Sequence, residues 1–129
     1  MSYPREYLYT RDHEWVHIVD DIATIGITEF AQRELGDTVF VELPDVGHVF
    51  DEGDELGTIE SVKAVAEVYT VLAGEIVEVN QAVIDDPELL NDDPHGEGWL
   101  VKIKLNAGDA TINLMTADAY DDYVKSGEG

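Results

Sequence analysis

The most informative segment of this chain reads Glu55-Leu56-Gly57-Thr58-Ile59-Glu60-Ser61-Val62-Lys63-Ala64-Val65-Ala66-Glu67-Val68-Tyr69. Residues 55–60 and 64–69 are two strand-like runs with many β-branched residues. The three residues between them, Ser61-Val62-Lys63, are enough for a hairpin turn. The sequence therefore predicts a β-hairpin with Lys63 at or beside its tip.

Further short strand patterns lie on both sides of this hairpin, separated by turns rich in Gly, Pro and Asp. These predicted strands span residues 14–19, 22–27, 38–43, 75–80 and 99–105. Many short strands of this kind favour a small β-sandwich or barrel over alternating βαβ units. A mainly β fold is therefore predicted.

Two helices are predicted, each with a threonine positioned as its N-cap. Thr28 precedes residues 29–35, and Gly36 can end that helix in the left-handed conformation. Thr116 precedes a second pattern that ends at Lys125, where a cation complements the helix dipole. Residues 85–94 are predicted to form a loop with one helical turn after Pro87.

Length and composition indicate one folded domain spanning residues 1–129, with its C-terminal helix at about 116–125. The chain has 129 residues, of which 44% are hydrophobic, which is sufficient to form a core. It contains no cysteine, so any sulfur chemistry must come from a cofactor. No apolar run long enough to span a bilayer and no signal-peptide pattern is present, so a cytoplasmic location is expected.

The charge balance is strongly acidic, with 29 Asp and Glu against 7 Lys and Arg and a net charge of −22. Such a field repels nucleic acids and anionic membranes, so neither is an expected partner. The acidic residues are spread along the whole chain, which favours a surface hydrated for high salt over a single anionic docking patch. Self-repulsion at low salt is then expected to loosen the fold.

Lys63 stands out among the four lysines. Lys102 and Lys104 share one face of a predicted strand, and Lys125 fits the polarity of the last helix. Lys63 has no comparable structural role, because a turn tip accepts Asp, Asn or Gly equally well. Its small neighbours Ser61, Val62 and Ala64, together with Glu60 before the tip, leave the amine accessible. Most isolated lysines are only surface charges, so these residues alone leave modification open.

The lysine-bearing segment and the segment after it resemble those of a known family. Residues 57–64, followed by residues 74–80, resemble the lipoyl-attachment region of the glycine cleavage system H protein family. Other motifs of that family occur in its order and spacing, namely His13-Glu14-Trp15, residues 23–28, Leu35-Gly36-Asp37, residues 39–44 and residues 98–103. The resemblance covers roughly residues 6 to 125.

The resemblance implies a lipoyl/biotinyl-type β-sandwich, also called a barrel-sandwich hybrid. Two small antiparallel sheets would carry short helices and a C-terminal helix, with the attachment lysine on a hairpin at about residues 55–69. It also implies lipoate joined to the amine of Lys63 as an amide. The resulting arm would reach roughly 14 Å, counting bonds of about 1.5 Å.

The resemblance further implies a carrier that is not itself an enzyme. It would take the aminomethyl group of glycine from a pyridoxal-phosphate-dependent glycine decarboxylase to a tetrahydrofolate-dependent aminomethyltransferase. Dihydrolipoyl dehydrogenase would reoxidise the arm, and a lipoate-attaching enzyme would join the lipoate to Lys63. The chain is expected to be a monomer with no catalytic residue and no metal ligand.

By position, the resemblance makes Glu14 and Glu67 the carboxylates of a cleft that shelters the loaded arm. Their charge would suit a cationic amine, although both residues could equally be ordinary solvated acids. The family often has Asp where this chain has Glu67, Ser at the position of Asp12 and His at the position of Glu34. These departures concern the geometry of the cleft and leave attachment at Lys63 unaffected.

Other functions fit the sequence less well. A biotin carrier usually has methionines beside its lysine, and a lipoyl domain of a 2-oxoacid dehydrogenase usually has Asp before it; this chain has Val62 and Ala64. The four histidines are scattered, and Asp51-Glu52-Gly53-Asp54-Glu55 lacks the ligand register of an EF-hand. No serine lies in a nucleophile elbow. A lipoyl donor for other proteins and an unlipoylated acidic binding module remain as alternatives.

Overall fold

The computed structural model describes residues 3–70, 72–105 and 114–126. The strands in this part of the chain are β1 Leu8–Tyr9, β2 Glu14–Val19, β3 Ile22–Ile27, β4 Thr38–Glu42, β5 Val49–Phe50, β6 Glu55–Ser61, β7 Val65–Tyr69, β8 Gly74–Val79 and β9 Val101–Leu105. The helices are α1 Glu29–Leu35, α2 Gln81–Asp85, α3 Leu89–Asp92 and α4 Ala117–Lys125.

The strands form two sheets in which every pairing is antiparallel. The larger sheet has the order β1-β2-β3-β9-β8-β5, and the smaller one has the order β4-β6-β7. The prediction of a mainly β fold with two antiparallel sheets, short helices and a C-terminal helix is confirmed. Because β7 is an edge strand of the smaller sheet, one side of the lysine-bearing hairpin has no strand partner among the described residues.

The main apolar core joins the two sheets. Ile25 and Ile103 contribute from the larger sheet, and Val41, Ile59 and Val68 contribute from the smaller one. Each side chain is at most 2% exposed, and full burial of a side chain of this size contributes about 1.5–3 kcal/mol. The smaller sheet, and with it the hairpin, is thereby anchored to the rest of the molecule.

A second, aromatic cluster holds the C-terminal helix. The Tyr9 ring of β1 stacks on Tyr120 of α4 with a centroid distance of 4.9 Å, and Trp15 belongs to the same cluster. The Thr116 hydroxyl accepts a hydrogen bond from the Ala119 amide, as expected for an N-cap. The predicted C-terminal helix is confirmed.

Helix α1 also has the predicted bounds and caps. The Thr28 hydroxyl accepts a hydrogen bond from the Ala31 amide, and Gly36 ends the helix with a φ of 81°. This backbone conformation strains any residue with a β-carbon. The single turn predicted after Pro87 is also present, as α3.

Three elements were not predicted, namely β1, β5 and α2. Both strands have two residues and α2 has five, so none is long enough to show a hydrophobic period. The last strand begins at Val101, two residues later than predicted. Within residues 3–70, 72–105 and 114–126, no helix is long and apolar enough to cross a membrane.

Few of the acidic side chains are paired with cations. The described part of the chain contains four ion pairs, which are Arg5–Asp118, Arg33–Glu29, Lys102–Glu78 and Lys125–Asp121. They lie at the surface, where an ion pair contributes at most about 1 kcal/mol. Most of the 29 acidic residues therefore repel one another across solvent.

Added salt should stabilise the fold, because it screens this repulsion and shortens the Debye length from roughly 30 Å at 0.01 M to about 3 Å at 1 M. We expect the Tm, followed by far-UV circular dichroism, to rise by about 5 °C or more over that range, equivalent to roughly 1 kcal/mol for a domain of this size. A parallel series in sucrose controls for preferential exclusion. A Tm indifferent to NaCl would contradict adaptation of this surface to salt.

Candidate functional site

The lysine lies in the turn of the predicted hairpin. Strands β6 and β7 pair up to Glu60 and Val65, and the Ser61 amide donates to the Ala64 carbonyl at 2.8 Å. Val62 and Lys63 are thus the two central residues of a four-residue turn, and both are exposed. Sequence reasoning placed Lys63 correctly.

Ser61 does more than keep the tip small. Its hydroxyl oxygen accepts hydrogen bonds from the amides of Lys63 at 3.3 Å and Ala64 at 3.0 Å. The hydroxyl also lies 3.2 Å from the Ala64 carbonyl, to which it donates. Such side-chain bonds to nearby backbone groups stabilise turns, so Ser61 fixes the direction in which the turn presents Lys63.

The tip is also tied to the connection between α1 and β4. The Val62 amide donates to the carbonyl of Asp37 at 3.0 Å. On either side of Asp37, the Asn91 side chain donates to the Gly36 carbonyl at 2.8 Å and accepts from the Thr38 amide at 2.9 Å. Sequence reasoning missed Asn91, because its partners lie more than 50 positions away.

The Lys63 side chain extends along the end of α1. A β-carbon built at Gly36 would lie 3.4 Å from Cε of Lys63, so the lysine stem passes directly over this glycine. Within the described ranges no ion pair involves Lys63. The stem therefore lies beside the end of α1, while the exposed amine has no carboxylate among the described residues to restrain it.

Beside the hairpin lies a cavity of about 290 Å³ between α1 and the open edge of β7. Phe30 and Leu35 line it from α1, while Val65 and Glu67 line it from β7. The acidic lining residues are Asp12, Glu14, Glu34 and Glu67. The structure thus brings together the two predicted cleft residues, Glu14 and Glu67. Asp12 and Glu34, which with Glu67 are the positions where the chain departs from the family pattern, line the same cavity.

Glu14 is not an ordinary solvated acid. Its side chain is only 2% exposed, and its two oxygens accept hydrogen bonds from the Tyr69 amide and the Thr10 hydroxyl, both at 3.0 Å. Burial raises its pKa to about 7, against the opposing effect of these two hydrogen bonds. Glu67, in contrast, is exposed, so the solvated alternative describes Glu67 and not Glu14.

His13 also lines the cavity, a position that sequence reasoning did not foresee. It has a φ of 68°, its ring packs on Phe30 at 4.6 Å, and its Nδ1 lies 2.7 Å from the Tyr120 hydroxyl. Burial lowers its pKa below the usual value, which favours a neutral imidazole near pH 7. Across the described ranges, no three His, Asp or Glu side chains are grouped as metal ligands.

Replacement of Ser61 by Ala should loosen the turn without unfolding the protein, because the lost hydrogen bonds are local. We expect the amides of Lys63 and Ala64 to exchange with solvent about three to ten times faster, the equivalent of roughly 1 kcal/mol for a lost hydrogen bond. NMR hydrogen exchange measures this directly. The Ser61→Thr variant keeps the hydroxyl and is the control; equal exchange in all three proteins would contradict the role assigned to Ser61.

Glu14 should make stability depend on pH. The pKa of its carboxyl is raised in the folded state from 4.5 to about 7, so its contribution to stability is largest below pH 4.5 and declines as pH rises through 7. From pH 5 to pH 8, the free energy of unfolding of the wild type should fall by roughly 2–3 kcal/mol relative to that of Glu14→Gln.

Urea unfolding at constant ionic strength tests this difference. Glu67→Gln, which removes an exposed acid from the same cavity, is the matched control and should leave the pH dependence nearly unchanged. Parallel pH profiles for the wild type and Glu14→Gln would show that the Glu14 carboxyl does not titrate as described.

Known proteins resemble this chain over almost its entire length. Residues 7–127 match the family model described as "Glycine cleavage H-protein". The glycine cleavage system H protein of Herpetosiphon aurantiacus is 56% identical over 121 residues, which are 94% of this chain and 92% of that protein. The one from Staphylococcus epidermidis is 47% identical over 124 residues, covering 96% of this chain and 98% of that protein.

A solved structure agrees with these sequence matches. The crystal structure of a glycine cleavage system H protein from Mycobacterium marinum superimposes with a TM-score of 0.85 at 39% identity, covering 97% of this chain and 99% of that one. The resemblance noted in the sequence is thus confirmed by a family model, by relatives and by the fold. This chain belongs to the glycine cleavage H-protein family, whose members are carriers within the glycine cleavage system and not catalysts.

Proposed function

We propose that this chain carries lipoate as an amide on Lys63 and uses it to transfer the aminomethyl group of glycine between two partner enzymes. The observation that supports this most directly is the pairing of an exposed lysine, held in a hydrogen-bonded turn, with an acidic cavity beside it. The chain has no cysteine. When attached, the lipoyl group supplies a disulfide that accepts the aminomethyl group and two electrons.

The residues at the tip suit acylation. The uncharged Nζ of Lys63 attacks the carbonyl carbon of an activated lipoate, either an acyl phosphate or a thioester. A C–N bond forms, the bond to the leaving group breaks, and the displaced amine proton passes to solvent. Lys63 makes no ion pair among the described residues, so no salt bridge has to break before the amine reacts.

The cavity suits a cationic amine at the end of an arm attached to Lys63. Glu14 is buried in its lining without a cation partner among the described residues, and a cation entering the cavity would favour the ionised form of this carboxyl. Glu67, Asp12 and Glu34 add negative potential around the opening. The apolar wall formed by Phe30 and Leu35 lowers the polarity of the surroundings, which strengthens these interactions.

We further propose that the partners are those of a four-component system. A pyridoxal-phosphate-dependent glycine decarboxylase would load the carrier, a tetrahydrofolate-dependent aminomethyltransferase would unload it, and dihydrolipoyl dehydrogenase would reoxidise it. A lipoate-attaching enzyme would join lipoate to Lys63. The chain would act as a single, monomeric, cytoplasmic domain over residues 1–129, with the hairpin reaching its partners through an arm of roughly 14 Å.

Intact-mass measurement tests the attachment. Protein produced in a lipoate-replete host should gain the mass of one lipoyl group, and peptide mapping should place it on Lys63. Lys63→Arg should remain unmodified and should fail to support glycine-dependent exchange of labelled bicarbonate by the decarboxylase. Lys104→Arg is the matched control, since Lys104 is also exposed.

An unmodified Lys63, in a host whose other lipoyl proteins carry lipoate, would disprove transfer by a lipoyl arm on this residue. Full lipoylation without glycine exchange would instead favour the alternative of a lipoyl donor for other proteins.

A further inference from the structure

Four exposed apolar side chains surround the hairpin tip. Val39, Phe40, Val62 and Val65 are 55%, 49%, 69% and 57% exposed. Single exposed apolar residues are normal on protein surfaces, but several close together often mark an interaction site. We refer to these four residues as the tip patch.

Backbone pairing brings these residues together. Glu60 of β6 lies between Phe40 of β4 and Val65 of β7, forming a row across the smaller sheet. The Val62 amide donates to the Asp37 carbonyl, which places the tip beside the start of β4. The patch therefore runs from the turn onto one face of the sheet.

An irregularity in β4 enlarges the patch. The register between β4 and β6 shifts between Thr38 and Phe40, and Val39 and Phe40 are both exposed between the buried residues Thr38 and Val41. A regular strand would turn one of the two inward. Bulges of this kind commonly redirect side chains next to functional sites, and here the bulge exposes an aromatic ring that the core does not use.

Reach decides which partner the patch fits. An extended lysine places Nζ only about 6 Å from its Cα, whereas the end of a lipoyl arm lies roughly 14 Å away. An enzyme that acts on the end of the arm can remain that far from the hairpin. The enzyme that forms the amide must instead bring its acyl group into bonding contact with Nζ, so its surface has to cover the residues around the turn.

Charge narrows the chemistry of this partner. The tip patch is bordered by the acids Asp37, Glu42 and Glu60, the last of which lies within the row of Phe40 and Val65. A complementary surface has an apolar centre with a cationic border, and its association with this chain weakens as salt increases.

We propose that the tip patch is the docking surface for the enzyme that acylates Lys63, and that this enzyme presents an apolar, cation-bordered surface to it. The inference rests on the proposed attachment of lipoate to Lys63. The step itself is the acyl transfer described above, in which the dithiolane is neither oxidised nor reduced.

Acylation kinetics test the proposal. The unmodified chain is incubated with a purified lipoate ligase, lipoate and ATP, and initial rates are taken from intact mass. Val62→Thr and Phe40→Thr retain β-branched or strand-forming character at exposed positions, so the fold should persist, as checked by circular dichroism and Tm. Each should lower kcat/KM by about three- to tenfold, and the double variant by more than tenfold, mainly through KM.

The chain offers matched controls. Val46 and Val49 are 62% and 63% exposed and lie outside the tip patch, so Val46→Thr and Val49→Thr should change kcat/KM by less than about twofold, as for surface substitutions away from an interface. Once fully acylated with excess ligase, the patch variants should also support glycine-dependent bicarbonate exchange with an unchanged KM for the carrier.

Acylation of the patch variants at the rates of the controls would overturn the proposal while leaving lipoylation of Lys63 intact. If the KM for the acylated variants also rose in the exchange assay, the patch would be assigned to the decarboxylase. A wild-type chain that is not acylated at all would remove the attachment proposal, and this inference with it.

Discussion

The hydrogen bond from the Tyr69 amide to the Glu14 carboxylate is the contact on which the site depends. It joins β2 of the larger sheet to the open edge of β7 in the smaller one, and an unpaired amide at such an edge otherwise needs water or another chain. The bond satisfies that amide with a side-chain oxygen of Glu14. It also leaves a carboxylate buried in the wall of the cavity, without a cation partner among the described residues.

The turn backbone around Lys63 is rigid, whereas the Lys63 side chain is free to move. The backbone of the turn is fixed by Ser61, by the bond from Val62 to Asp37, and by Asn91 behind that connection. The Lys63 side chain beyond it is exposed. A defined anchor for a mobile arm suits a carrier, because it limits the volume that the arm explores and so raises its effective concentration at a docked partner.

Local patterns were sufficient to predict much of this structure. The hairpin around Lys63, the caps at Thr28 and Thr116 and the end of α1 at Gly36 follow from residues close to one another in the chain, and all were predicted. The burial of Glu14, the clamp made by Asn91 and the bulge at Val39 and Phe40 depend on partners far away in sequence. A single sequence carries no periodic signal for such contacts, which is why the acids of the cavity could be named only through a family resemblance.

The lack of an ion pair at Lys63 among the described residues has a consequence for the protein before this lysine is acylated. The proposed acylation would remove one positive charge from a chain of net charge −22, yet it would break no ion pair of Lys63 among the described residues, and the turn beneath it is made of other groups. The chain with a free Lys63 should thus fold without waiting for the acyl group. Proteolysis that recognises unfolded chains would then spare the unacylated form, leaving it as a reservoir for later attachment.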